Sequence, residues 1–176
     1  MDLSRTFDQL KIKLADNITG DITEQVMRDF VESIFQYGGL RLSPQEFAIN
    51  PGQVIGTSFI CLNQFPTATV SSSDVEPNPT DSTIKILRAG VYLINISLSF
   101  TGTANSEWRG SLFKNEIDME LCTFKEMLLP FIEGNAGGFD PLVIEADDVL
   151  EYRVQSSMIN TTFLLEAGQF NVFRIG

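Results

Sequence analysis

The chain has 176 residues, 43% of them hydrophobic, enough for one core, and it is rich in phenylalanine, with 14 against 3 Tyr and 1 Trp. Its 12 basic and 23 acidic residues leave a formal charge of −11, which repels phosphate backbones and anionic lipid surfaces and so argues against nucleic-acid binding and membrane attachment through charge. Histidine is absent, which excludes serine–histidine–aspartate and cysteine–histidine catalysis within one chain.

Cys61 and Cys122 are the only cysteines, and without a Cys-x-x-Cys pair they make no zinc site. They read as buried free thiols, with a disulfide open if the fold brings them together. No cofactor is implied. No run of about 18 apolar residues could insert into a membrane, and the start Met1-Asp2-Leu3-Ser4-Arg5 has no apolar signal segment. The expectation is a cytosolically made protein. Its charge is uneven: residues 1–41 hold 5 basic and 7 acidic side chains (net −2), and residues 42–176 hold 7 and 16 (net −9).

In residues 1–20, Leu10, Ile12 and Leu14 alternate with Lys11 and Lys13, which suits a short strand or extended arm with one apolar edge. Residues 21–36 form the one predicted helix. Asp21 caps it, and Glu24 completes a capping-box-like arrangement. Ile22, Val26, Met27, Phe30, Val31, Ile34 and Phe35 recur at three- and four-residue spacing and form one apolar face. Gly38-Gly39 is the expected left-handed stop. At about four turns this helix is too short to stand alone. Its apolar face needs a cover: its own domain, sister chains or a larger partner.

From Leu40 strand signals take over, around Phe47 and Ile49, Val54-Ile55, and residues 58–62. Ser71 to Thr80, with Pro77 and Pro79, reads as an exposed loop. Further strands are predicted at 83–87 and 91–100, the latter with Tyr92, Ile94, Ile96, Leu98 and Phe100 on one face. The series continues at 107–114, 117–121 after a hairpin turn at Lys114-Asn115-Glu116, 139–144, 149–154, 161–166 and 169–175. Short strands at turn-marked intervals predict a sandwich or barrel rather than a β-α-β layout.

Three stretches in order carry a family resemblance: Ala89 to Phe100, Leu142 to Tyr152 with its acidic turn, and Phe170 to Ile175. Residues 82–176 resemble the tumour necrosis factor and complement-type globular head. The resemblance implies a mainly-β TNF-like jelly-roll β-sandwich at 41–176, assembled as a homotrimer, with 1–40 as an appended arm and amphipathic helix. It assigns Tyr92, Ile94, Tyr152, Phe170 and Phe173 to the trimer interface. Residues 17–35, Asn17 to Phe35, resemble a short module that precedes β-rich heads in structural proteins of tailed bacteriophages.

Carboxylates are the remaining chemistry. Asp147 with Asp148, and Glu116, Asp118 and Glu120 at period two, are the candidates for glycosidic cleavage or calcium binding. A solvated turn and a solvated strand face account for them without either, so no enzyme is expected. The expectation is a virion structural protein on a phage particle: a capsid decoration (cement) protein or head fibre. Leu10, Ile12, Leu14, Ile22, Val26, Phe30 and Ile34 would bind the major capsid protein or another virion protein. The alternative is a receptor-binding tail-tip or fibre protein, whose loops Ser71–Thr80 and Gly134–Gly138 recognise a host surface glycan or protein.

Overall fold

The computed structural model describes residues 36–43, 52–129 and 133–175. Among them lie thirteen strands: β1 (Tyr37–Leu42), β2 (Gln53–Ile55), β3 (Ile60–Cys61), β4 (Thr67–Val70), β5 (Val75–Asn78), β6 (Thr83–Ile86), β7 (Gly90–Gly102), β8 (Glu107–Lys114), β9 (Ile117–Asp118), β10 (Phe124–Met127), β11 (Gly134–Ile144), β12 (Val149–Ser156) and β13 (Thr161–Arg174). They form two sheets. Sheet 1 runs β11-β7-β13-β1-β4 with β2 added to β13. Sheet 2 runs β10-β8-β12-β6-β5, with β3 on β12 and β9 on β8.

Side chains on a strand alternate between faces, and the long strands use this fully. Tyr92, Ile94, Ile96, Leu98 and Phe100 of β7 face sheet 2, as do Phe163, Leu165, Phe170 and Val172 of β13. From the other side come Ile84 and Ile86 of β6, Trp108 and Leu112 of β8, and Leu150, Tyr152 and Val154 of β12. Phe100 stacks on Phe163 at 4.6 Å, and Trp108 meets the same ring edge-on at 5.2 Å. The Tyr152 hydroxyl donates to the Cys122 carbonyl at 2.7 Å in this interior. Replacing Tyr152 by Phe leaves that acceptor unpaired, so a loss of about 1–2 kcal/mol is expected, measured by urea denaturation.

The β13 strand contains a bulge between Leu165 and Ala167, which resets the alternation. Before it the odd-numbered residues face inward; after it Gly168, Phe170 and Val172 do. At the far end Arg174 Nη1 lies 3.0 Å from the buried Asp74 carboxylate, tying the last strand to the β4–β5 connection.

Several elements differ from the sequence reading. Gly38 and Gly39 do not stop a helix; they lie in β1, between β13 and β4, without positive φ. A Cβ on Gly39 would stand 2.1 Å from Asn171 Oδ1, so close approach of neighbouring strands requires glycine there. The sandwich therefore takes in Tyr37 to Leu40, which the sequence reading gives to the arm. Ser71–Thr80 contains β5 rather than being all loop, and Gly134–Gly138 belongs to β11, paired along its length with β7. Residues 161–175, read as two strands, are one bulged strand to Arg174. The 117–121 strand stops at Asp118, although the turn before it is as expected, with Asn115 and Glu116 at φ 49° and 69°. Apart from Gln36, the predicted helix lies outside the described residues, as do Phe47 and Ile49.

Candidate functional site

Two outer faces present chemistry. On sheet 1, β11, β7, β13 and β1 bring apolar side chains into register. Pro141 pairs with Leu93, Leu93 with Phe173, and Phe173 with Tyr37, so these four form one row across the sheet. Val143 and Val91 form the next row, which Ile175 joins by donating its N–H to the Val91 carbonyl at 2.8 Å. Phe139 extends the patch along β11. Phe139 is 59% exposed, Val143 64% and Ile175 58%, while Phe173 stacks on Tyr37 at 5.7 Å. Towards the other end the same face turns polar, with Asn95 beside Asn171 and Ser97 beside Gln169. A hollow of about 350 Å³ there is bordered by Arg41, Ser97, Ser99, Asn135 and Gln169.

On sheet 2 the outer face carries charge and hydroxyl groups. Glu107 receives Arg109 Nε at 2.8 Å and Lys125 Nζ at 3.0 Å. Hydrogen bonds from Lys125 and Arg109 hold its carboxyl below the usual range. Arg153 pairs with Glu151 and lies 4.4 Å over the Phe113 ring.

Three of the five carboxylate candidates, Asp118, Asp147 and Asp148, are already occupied. Asp147 pairs with Lys85 at 2.7 Å, while Asp148 accepts from Asn115 Nδ2 at 2.6 Å and lies 3.2 Å from Lys114 Nζ. Asp118 accepts from the Ser111 hydroxyl and from the Glu120 N–H, closing a turn rather than lining a strand with Glu120. Among the described residues no group of three His, Cys, Asp or Glu side chains is placed to hold a metal ion.

Asp148 nevertheless contributes to the pH dependence of stability. Burial alone would raise its carboxyl, but the Glu145 N–H, the Asn115 amide and Lys114 outweigh it, so the folded value is lowered. Such a group adds stability above the unfolded carboxylate value of about 3.9, and that stability is lost as pH falls through the lower folded value. Asp148→Asn is therefore expected to be less stable than the parent at about pH 7, with the gap narrowing as pH falls below the unfolded carboxylate value, as read from urea midpoints.

Cys61 and Cys122 are free thiols, Cys122 buried and Cys61 half-buried. Both are pushed up to about 12, Cys61 by burial and then the Glu151 carboxylate, Cys122 by burial and then Asp140. Neither is an activated nucleophile.

The interface residues assigned from the sequence require correction. Tyr92, Ile94, Tyr152 and Phe170 are at most 1% exposed and lie between the two sheets, where the monomer itself covers them. Only Phe173 faces outward, because it and Phe170 stand an odd number of residues apart on one strand. The side chains available for association are their alternation partners, Val91, Leu93 and Phe173, with Phe139, Pro141 and Val143 from β11. The apolar upper half of the β7 outer face was visible in the sequence, and so was a strand at 139–144; that Phe139, Pro141 and Val143 continue the same face was not, because it depends on the pairing of β11 with β7. Leu10, Ile12, Leu14, Ile22, Val26, Phe30 and Ile34 lie outside the described residues.

The two-sheet fold is similar to that of solved structures. The globular domain of zebrafish complement 1qA matches with a TM-score of 0.58 at 12% identity, over 80% of this chain and 98% of that one. The fold is a TNF- and complement 1q-like jelly roll. Murine APRIL matches with a TM-score of 0.50 at 7% identity, over 79% and 99% of the two chains. Eiger TNF from S. frugiperda gives 0.49 at 11% identity, over 80% and 94%. No protein-family model and no curated protein sequence matches. The jelly roll therefore accounts for both faces: two sheets closed on a shared core, with their outer surfaces left for contacts.

Proposed function

We propose that this chain is a non-catalytic binding module that assembles as a trimer through the outer face of sheet 1. In this proposal it is displayed on a phage particle as a capsid decoration or head-fibre protein. The observation that carries self-association is the contiguous apolar face formed by Val91, Leu93, Phe139, Pro141, Val143, Phe173 and Ile175. Monomeric proteins rarely leave such a patch uncovered, and a closed symmetric oligomer removes it from water without risk of open-ended growth. The number three comes from the resemblance of residues 82–176 to TNF and complement-type heads. The virion setting comes from the resemblance of residues 17–35 to the phage module. Residues 1–35 attach the trimer to the major capsid protein or another virion protein, and binding only the assembled shell stabilises it by mass action.

Sedimentation equilibrium of the full chain tests the assembly, with the trimer mass expected and a stable monomer refuting it. Electron microscopy of particles with and without the protein tests the setting; density confined to the tail would replace the decoration reading by the receptor-binding one. Removal of residues 1–35 is expected to leave soluble trimers that no longer attach. The cut has to stop there, because Leu40 of β1 is fully buried.

A further inference from the structure

Sheet 2 carries a groove that self-association through sheet 1 leaves open. Its wider part, about 430 Å³, is bordered by Phe59, Arg109, Asp118, Glu120, Lys125 and Gln155. A second hollow of about 220 Å³ shares Arg109 and Gln155 and continues past Ser157 to Thr57. The wider part falls within the roughly 300–1,000 Å³ of small-molecule sites, and the two together make an elongated track.

Three features define what the track can hold. First, one wall is aromatic: Phe59 is half-buried and tilted against Phe113 at a centroid distance of 5.3 Å, which fixes the ring. Second, donors and acceptors are interspersed and partly preset. Glu107 clamps Arg109 and Lys125 from outside the wider hollow, and Asp118 is oriented by Ser111 and the Glu120 N–H. Third, the charges along the track are of mixed sign, Arg109 and Lys125 against Glu107, Asp118 and Glu120, and both cations are already paired with Glu107. Neither cation is left unpaired to attract an anionic ligand, which also meets the Asp118 and Glu120 carboxylates, whereas a neutral ligand meets no such repulsion. A polyol with an apolar C–H face and a rim of hydroxyls fits all three, because the ring takes the C–H face and the planar polar groups take the hydroxyls.

We propose that this groove binds a segment of a neutral saccharide chain. The inference rests on the display reading for its purpose, since several outward copies would add avidity to weak single sites, but the groove lies within one subunit and does not depend on the trimer.

The test is saturation-transfer NMR and titration of the full-length protein with chitohexaose, maltohexaose and mannohexaose, with hyaluronan and heparin hexamers as charged probes. Binding of at least one neutral hexasaccharide is expected at millimolar or tighter affinity. Phe59→Ala and Arg109→Ala should each weaken it by about tenfold or more; Arg109 is exposed, so its variant remains informative should loss of the ring unfold the protein. The Phe139→Asp/Val143→Asp form should bind with unchanged single-site affinity. No binding of any neutral probe, binding confined to the charged probes, or binding undiminished in Arg109→Ala overturns the proposal. Sedimentation of the same samples reports the assembly separately, so failure of the groove and failure of the trimer are told apart.

Discussion

Replacing Phe139 and Val143 together by aspartate is expected to convert the trimer proposed above into folded monomers. Both side chains project from the outer face of β11 and are more than half exposed in the single chain, so their loss takes nothing from the core. In the assembly each would bury apolar surface worth about 1.5–3 kcal/mol. Each aspartate would also place an unpaired charge in that contact, at a further cost of several kcal/mol. With a tenfold change for about every 1.4 kcal/mol, the association constant falls by several orders of magnitude. Sedimentation should show the monomer mass, while near-ultraviolet circular dichroism and the emission of Trp108 stay as in the parent. A variant that still sediments as a trimer would remove the outer face of sheet 1 from the interface. Loss of the native spectrum would mean that β11 holds the sandwich together in a way its burial does not indicate.

Trp108→Ala is expected to be the most damaging single change in the core. The indole is fully buried, lies edge-on against Phe163, and closes one end of the interior. Truncating a buried Trp to Ala costs about 3–5 kcal/mol, against about 5–15 kcal/mol for a whole domain. The corresponding fall in the thermal midpoint is on the order of 10–20 °C, measured by circular dichroism because the substitution deletes the chain's one tryptophan. The indole N–H has no hydrogen-bond partner, so no lost polar contact offsets or adds to this figure. Trp108→Phe, which removes that unpaired donor and keeps a ring, should recover much of the loss. If alanine were tolerated within about 1 kcal/mol, the interior would not be close-packed at this end.

What could be read from the chain alone was whatever depends on local pattern. The period-two alternation from Val91 to Phe100 identified β7 and the five side chains that share one of its faces, since alternation is written in the strand's own residues. The absence of histidine removed whole classes of catalysis without reference to shape. The acidic turn at Glu145 to Asp148 was legible because its residues tolerate that geometry, with Asp147 at φ 70°.

What only the tertiary structure decided was which partner each face meets. The sequence reading took the inward row of β7 for an oligomer surface because alternation says that two faces differ, not which one looks at the second sheet. The Leu165/Ala167 bulge brings Phe170 and Val172 onto the same inward face as Phe163 and Leu165, and a bulge is a property of pairing with β7, not of the residues 165–167 taken alone. Gly38-Gly39 and Gly134–Gly138 have turn composition yet lie in strands. Long-range pairing supplies the hydrogen bonds that local propensity does not, and neighbouring atoms, such as Asn171 over Gly39 and Cys122 against Gly138, fill the space a side chain would need. Contacts between residues far apart in sequence leave no periodic trace in it, and both candidate surfaces are made of such contacts.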